Sequence, residues 1–143
     1  MKQILILNGP NLNLLGKREP AVYGRQTLDE LAAGWRALGE AHGVEVVCMQ
    51  SNLEGELIDA LQQFGFAAIA ILFTPGGYTH TSVAIRDAIA AIETPVYEIH
   101  ISHPDAREEF RKKSLVREVC AGAISGLGVM GYELALRHVL SGL

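Results

Sequence analysis

Tyr23 lies near the end of a 17-residue segment, Asn8 to Gly24, that reads NGPNLNLLGKREPAVYG. Arg18 precedes it by five residues, and Asn11 stands near the segment's start. These residue types suit abstraction of a proton from carbon. A phenol has a reference pKa of about 10, too high for a base at neutral pH. A neighbouring guanidinium favours the phenolate and so makes a base of it. An amide side chain can orient the phenol or a substrate oxygen. The same segment also reads as a surface loop with a half-buried aromatic.

A second constellation follows two later apolar runs. Thr74, Gly76-Gly77 and His80 come after one, and Glu98-Ile-His100-Ile-Ser102-His103 closes the other. Glu98 and His100 are two apart, so they share one side of a strand. His100 can serve as a general acid with Glu98 orienting it; it also fits a structural histidine bonded to backbone. The glycine pair before a helix start could hold an anion. His80, His100 and His103 match no zinc spacing, so no metal is expected. There is no Walker loop, no Gly-x-Gly-x-x-Gly after the first run and no nucleophile elbow.

The elements that must position these groups alternate. Lys2 to Leu7 reads as a strand that ends at Asn-Gly-Pro. Thr27 and Glu30 form a capping box that opens a helix running to about Gly43. Val44 to Met49 is a second strand. Ser51 and Glu54 suggest another capping box, before a helix that ends at Gly65. Ala67 to Phe73 is a third strand, followed by a helix capped by Thr81 or Ser82. Val96 to Ile101 is the fourth strand, with a short helix around Ala106 to Lys113. Cys120 to Ser125 is a weaker fifth strand, and Val129 to Leu140 a final helix. Continuous apolar strands joined by helices predict an α/β doubly wound sandwich around a five-stranded parallel sheet. The flavodoxin-like order 2-1-3-4-5 fits five strands. It would gather the polar loops after strands one, three and four at the switch point of strand order. The loops after strands two and five carry little by comparison.

Composition narrows the partners. The 143 residues suit one domain, 1–143, and 49% hydrophobic residues allow a sizeable core. A net charge of −4 gives no case for nucleic acid or an anionic membrane. The basic cluster Arg107 to Lys113 is interleaved with Glu108 and Glu109. It reads as a solvated helix face holding one functional arginine at most. No apolar run reaches the roughly 18 residues of a membrane span, and the opening MKQILILNGP reads as a strand, not a leader. Cys48 and Cys120 are too few and too distant for a disulfide framework. They read as buried thiols in a reducing cytoplasm.

The chain resembles the type II 3-dehydroquinate dehydratase family. The likeness rests on NGPNLNLLGKREPAVYG, QSNLEGELID at 50–59, GGYTHTSVAIRDA at 76–88, YEIHIS at 97–102, AREEFR at 106–111 and GLGVMGYELAL at 126–136. The resemblance implies a flavodoxin-like lyase that eliminates water in the trans sense from 3-dehydroquinate, through an enolate, to give 3-dehydroshikimate, a step of the shikimate pathway and of quinate catabolism. It implies no cofactor, and trimers assembled into a homododecamer. Tyr23 matches the base, Arg18 the lid arginine that activates it, and Asn11 the enolate-stabilising residue. His100 matches the general acid and Glu98 its carboxylate. His80 and Arg111 match contacts to substrate hydroxyls, and Ser102 with the Ile101 backbone matches the carboxylate clamp. Asp87 matches a residue reaching a neighbouring subunit's site.

Three positions depart from the family pattern. Thr74 and His103 stand where asparagine is usual, and Asp105 where histidine is usual. Thr74 offers the substrate one hydroxyl in place of an amide. A paralogue acting on a related cyclic polyol acid, and a non-catalytic binding module, are therefore the alternatives to a dehydratase.

Overall fold

The computed structural model describes residues 1–143, the side chain of Val22 excepted. Five parallel strands, β1 (Lys2–Asn8), β2 (Val44–Gln50), β3 (Ala70–Thr74), β4 (Val96–His100) and β5 (Gly122–Ser125), lie in the order β2-β1-β3-β4-β5. This is the flavodoxin-like order that five strands fit, although alternation alone does not dictate it. The helices are α1 (Pro20–Tyr23), α2 (Leu28–Glu40), α3 (Glu54–Phe64), α4 (Val83–Ala91) and α5 (Met130–Ser141).

The strand pleat divides the apolar residues between two cores. Ile4 and Ile6 face α2 and α5 through Leu31, Trp35, Tyr132 and Leu136. Leu5 and Leu7 face α3 and α4 through Leu57, Leu61, Ile85 and Ile89. Because β1 and β3 are buried on both faces, their sequences read as unbroken apolar runs. Each fully buried side chain of this kind contributes about 1.5–3 kcal/mol.

Thr27 caps α2, its hydroxyl accepting from the Glu30 N–H at 3.2 Å, but the Glu30 carboxylate meets that hydroxyl and not the Thr27 N–H, so only half of the expected box forms. Ser82 caps α4 by accepting from the Ile85 N–H at 2.9 Å. The box expected at Ser51 and Glu54 does not form. Leu53 takes the N-cap position, and Ser51 instead accepts from the Leu53 N–H and donates to Glu56. The third strand begins later than expected because 65–69 is a turn whose Ala67 and Ala68 N–H groups bond back to Phe64. The helix expected over 106–113 is two 3-10 turns, Pro104–Ala106 and Glu109–Lys112. The extended Arg107 between them (φ −105°, ψ −155°) prevents a continuous helix. Cys48 and Cys120 are half-buried rather than buried. Burial pushes both thiols up, Cys120 to about 12, so neither forms a thiolate at neutral pH. Among the described residues no helix is long and apolar enough to cross a membrane.

Candidate active site

The segment after β1 is folded back over the strand ends. Gly9 permits this, because a Cβ there would lie 2.7 Å from the Pro75 carbonyl oxygen. The two switch-point loops are thus in direct contact, and the Gly9 N–H bonds to the Thr74 carbonyl at 2.8 Å. Asn11 adopts a left-handed conformation (φ 71°), which asparagine tolerates better than most residues. The loop after β2 holds it there: the Asn52 side-chain oxygen accepts from the Asn11 N–H at 3.0 Å, and Gln50 donates to the Gly9 carbonyl at 3.2 Å. The end of β2 and the loop after it, expected to carry little, thus brace the site.

Above the sheet a cleft of about 150 Å³ opens between these segments. Asn11, Arg18, Tyr23, Thr74, His80, His100, Ile101, Ser102 and Arg111 all line it, together with Arg107. Glu98 is not on the wall but directly behind His100. Asp87 is exposed on α4, away from the cleft lining. Of the three departures from the resembling family, Thr74 is on the wall, whereas His103 and Asp105 are exposed.

Two cations lie against Tyr23. The Arg18 guanidinium carbon is 4.7 Å from the ring centre and that of Arg107 is 5.9 Å away. Arg107 Nη1 donates to the Tyr23 hydroxyl oxygen at 2.9 Å and to Ser102 Oγ at 3.1 Å. Arg107 is thus bonded to the phenol oxygen itself, whereas Arg18 lies over the ring. Arg18 also pairs with exposed Glu19 at 3.5 Å, so its position does not depend on Tyr23 alone. Sequence reasoning missed Arg107, hidden among alternating charges. Arg107 and Arg111 both reach the cleft, but the backbone breaks at Arg107, so no helical spacing marked it.

His100 is held from behind. Its Nε2 is 2.6 Å from Glu98 Oε2, and that carboxylate is fully buried. Ser114 Oγ donates to Glu98 Oε2 at 2.8 Å and Arg117 Nε to Oε1 at 3.0 Å. Burial pushes the Glu98 carboxyl up, but bonds from His100, Ser114 and Arg117 outweigh it and hold the group below the usual range. A lowered carboxyl stabilises the fold fully above its unfolded value, near 4.5, and loses that contribution as pH falls through the lower folded value. Wild type should therefore exceed Glu98→Gln in stability at neutral pH by about 1–3 kcal/mol. In urea denaturation that gap should narrow below the unfolded value; a gap that is constant with pH would contradict it.

Beneath the cleft lies a buried chain. Thr74 Oγ donates to the Tyr132 hydroxyl at 2.7 Å, which donates to Asn8 Oδ1 at 2.5 Å. Burial pushes the Tyr132 phenol well up, with Thr74 offsetting this only in part. Tyr132 is therefore a neutral structural donor, stacked on Trp35 at 4.4 Å, and not a base. His80 is fixed by a 2.7 Å bond between Nδ1 and the Lys113 carbonyl, which leaves Nε2 for the cleft. Arg111 is paired with Glu108. Among the described residues no group of three or more His, Cys, Asp and Glu side chains is placed to hold a metal ion.

Comparison with known proteins agrees with this architecture. The family described as dehydroquinase class II matches residues 2–140. The 3-dehydroquinate dehydratase of Pelotomaculum thermopropionicum is 52% identical over 135 residues, covering 94% of both chains. That of Halalkalibacterium halodurans is 49% identical over 142 residues, covering 99% of this chain and 98% of its own. The crystal structure of type II dehydroquinase from Butyrivibrio crossotus superposes with a TM-score of 0.93 at 42% identity, covering 96% of this chain and 97% of that one. A 3-dehydroquinate dehydratase-like protein from Bifidobacterium longum is more distant, with a TM-score of 0.73 at 29% identity over 99% and 97% of the two chains.

Proposed function

The chain belongs to the class II dehydroquinase family, and we propose that its cleft removes water from 3-dehydroquinate to give 3-dehydroshikimate. It is a hydro-lyase, and that product places it on the shikimate pathway. The observation that carries this reading is the pairing of a phenol in contact with two guanidinium groups with an imidazole backed by a buried carboxylate.

Tyr23, as phenolate, takes a proton from the carbon between the ketone and the hydroxyl-bearing carbon. The electron pair moves onto the ketone oxygen as an enolate, which Asn11 helps to stabilise through its amide. The enolate then collapses, the carbon–oxygen bond breaks, and His100 supplies the proton with which hydroxide leaves as water. A double bond conjugated to the ketone remains. One proton has entered at Tyr23 and one has left from His100, so the site resets by exchange with solvent. Arg18 and Arg107 hold the phenolate charge, and Glu98 orients His100. His80 and Arg111 contact substrate hydroxyls. Ser102 and the Ile101 backbone hold the substrate carboxylate, with Arg107 bridging from Ser102 to Tyr23. Removing a preorganised donor of the oxyanion type typically costs about 3–4 kcal/mol.

Three further features belong to the same proposal. The chain folds as a single domain, 1–143. Asp87, exposed on α4, completes a neighbouring site in a trimer, and trimers assemble into a dodecamer; a light-scattering mass of one fully active chain would contradict this. The enzyme works in a reducing cytoplasm, where both thiols stay free.

Purified protein given 3-dehydroquinate should raise the near-ultraviolet absorbance as the conjugated enone forms. No rise at stoichiometric protein would end the reading. Thr74→Asn should lower KM by about fivefold, because the amide adds a donor that the Thr74 hydroxyl, committed to Tyr132, does not offer. If both kinetic constants are unchanged, Thr74 does not set affinity.

A further inference from the structure

The carboxylate behind His100 is shared with an arginine that the mechanism does not use. Glu98 Oε2 meets His100 and Ser114, while Oε1 meets Arg117 Nε at 3.0 Å. Arg117 begins the 3-10 turn Arg117–Val119 and is not on the cleft wall. Its side chain is 47% exposed, whereas Glu98 is 0% exposed, so the guanidinium reaches inward from the surface. The turn ties the pair together, because Ser114 Oγ also accepts from the Arg117 N–H at 3.2 Å. Resting on the dehydratase reading, we propose that Arg117 is a positioning residue for the reaction, setting through Glu98 how readily His100 gives up its proton.

The argument is electrostatic. A buried carboxylate bonded only to an imidazolium forms a neutral pair, and such a pair holds its proton firmly. A general acid so held transfers its proton poorly. Arg117 takes one oxygen of that carboxylate and adds a positive charge on the far side. The protonated group then carries a net +1 rather than zero, and loss of the proton becomes easier. The bond to Oε1 also fixes the carboxylate's rotation, leaving Oε2 towards His100.

Other charges face the same pair. From the cleft come Arg18, Tyr23 and Arg107. Behind His100, His80, Asp105, Arg111 and Lys112 border, with Arg117, a gap of about 10 Å³. Cys120 also lies close enough to feel the Glu98 charge. All of these remain when Arg117 is changed, so a comparison of variants isolates its effect.

The test compares wild type with Arg117→Gln and Arg117→Lys. One readout is the pH dependence of kcat on 3-dehydroquinate, and the other is the NMR titration of the His100 ring in histidine-labelled protein. In Arg117→Gln the alkaline limb and the titration curve should both move up by roughly half to one pH unit, a size that allows for solvent screening of a half-exposed cation. At neutral pH kcat should fall by about two- to fivefold while KM changes by less than about twofold. Arg117→Lys should restore most of both curves. The proposal is overturned if Arg117→Gln lowers Tm but leaves both curves in place, or if Arg117→Lys is displaced as far as Arg117→Gln. If wild type forms no enone, the dehydratase reading falls separately, and the titration alone decides the role of Arg117.

Discussion

Tyr23→Phe is expected to lower kcat by about a thousandfold or more, the scale of a lost general base. The ring stays, so its contacts with Arg18 and Arg107 over the aromatic face persist, and KM should change little. Only the oxygen that accepts from Arg107 is removed. The other well-placed phenol, Tyr132, cannot substitute, because it is fully buried and donates to Asn8. Steady-state enone formation measures the effect, and circular dichroism checks that the fold is kept. Activity within about tenfold of wild type would remove Tyr23 as the base.

The second large effect is at His100. His100→Gln should lower product formation by about a hundred- to ten-thousandfold. Its signature differs from that of Tyr23→Phe, because the two residues act on different bonds. With Tyr23 intact the enolate still forms and returns, so unreacted substrate in deuterated water should take up deuterium beside the ketone. Tyr23→Phe should give neither product nor enzyme-catalysed exchange. If His100→Gln abolishes exchange as completely as Tyr23→Phe does, His100 is needed for more than departure of the hydroxide. Glu98 keeps partners in Ser114 and Arg117, so the buried carboxylate is not left uncompensated in this variant.

Much of the fold could be read from the chain, because buried parallel strands carry a strong signal. Ile4 to Leu7 and Ile71 to Phe73 are apolar on both faces, and only a helix-covered sheet accommodates that. The alternation with α2 to α5 then limits the strand orders, and β2-β1-β3-β4-β5 is the arrangement found. Boundaries were harder wherever backbone bonding competes with periodicity. Residues 65–69 look apolar yet form a turn, and 106–113 look helical by charge spacing yet break at the extended Arg107.

The cleft was legible where unusual polar residues follow strand ends, as with Asn11, Tyr23 and His100. It was not legible where an ordinary residue acquires its role through distant contacts. Arg107 reaches Tyr23 across 84 positions and Tyr132 reaches Asn8 across 124. No local spacing encodes either. Arg117 is hidden for the same reason, because its Nε bonds to Glu98, 19 residues away. Gln50 ends, and Asn52 follows, a strand that the switch-point rule leaves aside, yet they brace the loop holding Asn11.

The most direct measurement uses 3-dehydroquinate carrying deuterium in one known position of the methylene beside the ketone. A phenolate and an imidazole acting from opposite faces require the hydrogen and the hydroxyl to leave trans to one another. Deuterium trans to the departing hydroxyl should therefore be absent from the product and should slow its formation, while deuterium cis to it is retained. Loss of the cis label instead would contradict a base at Tyr23 working against an acid at His100.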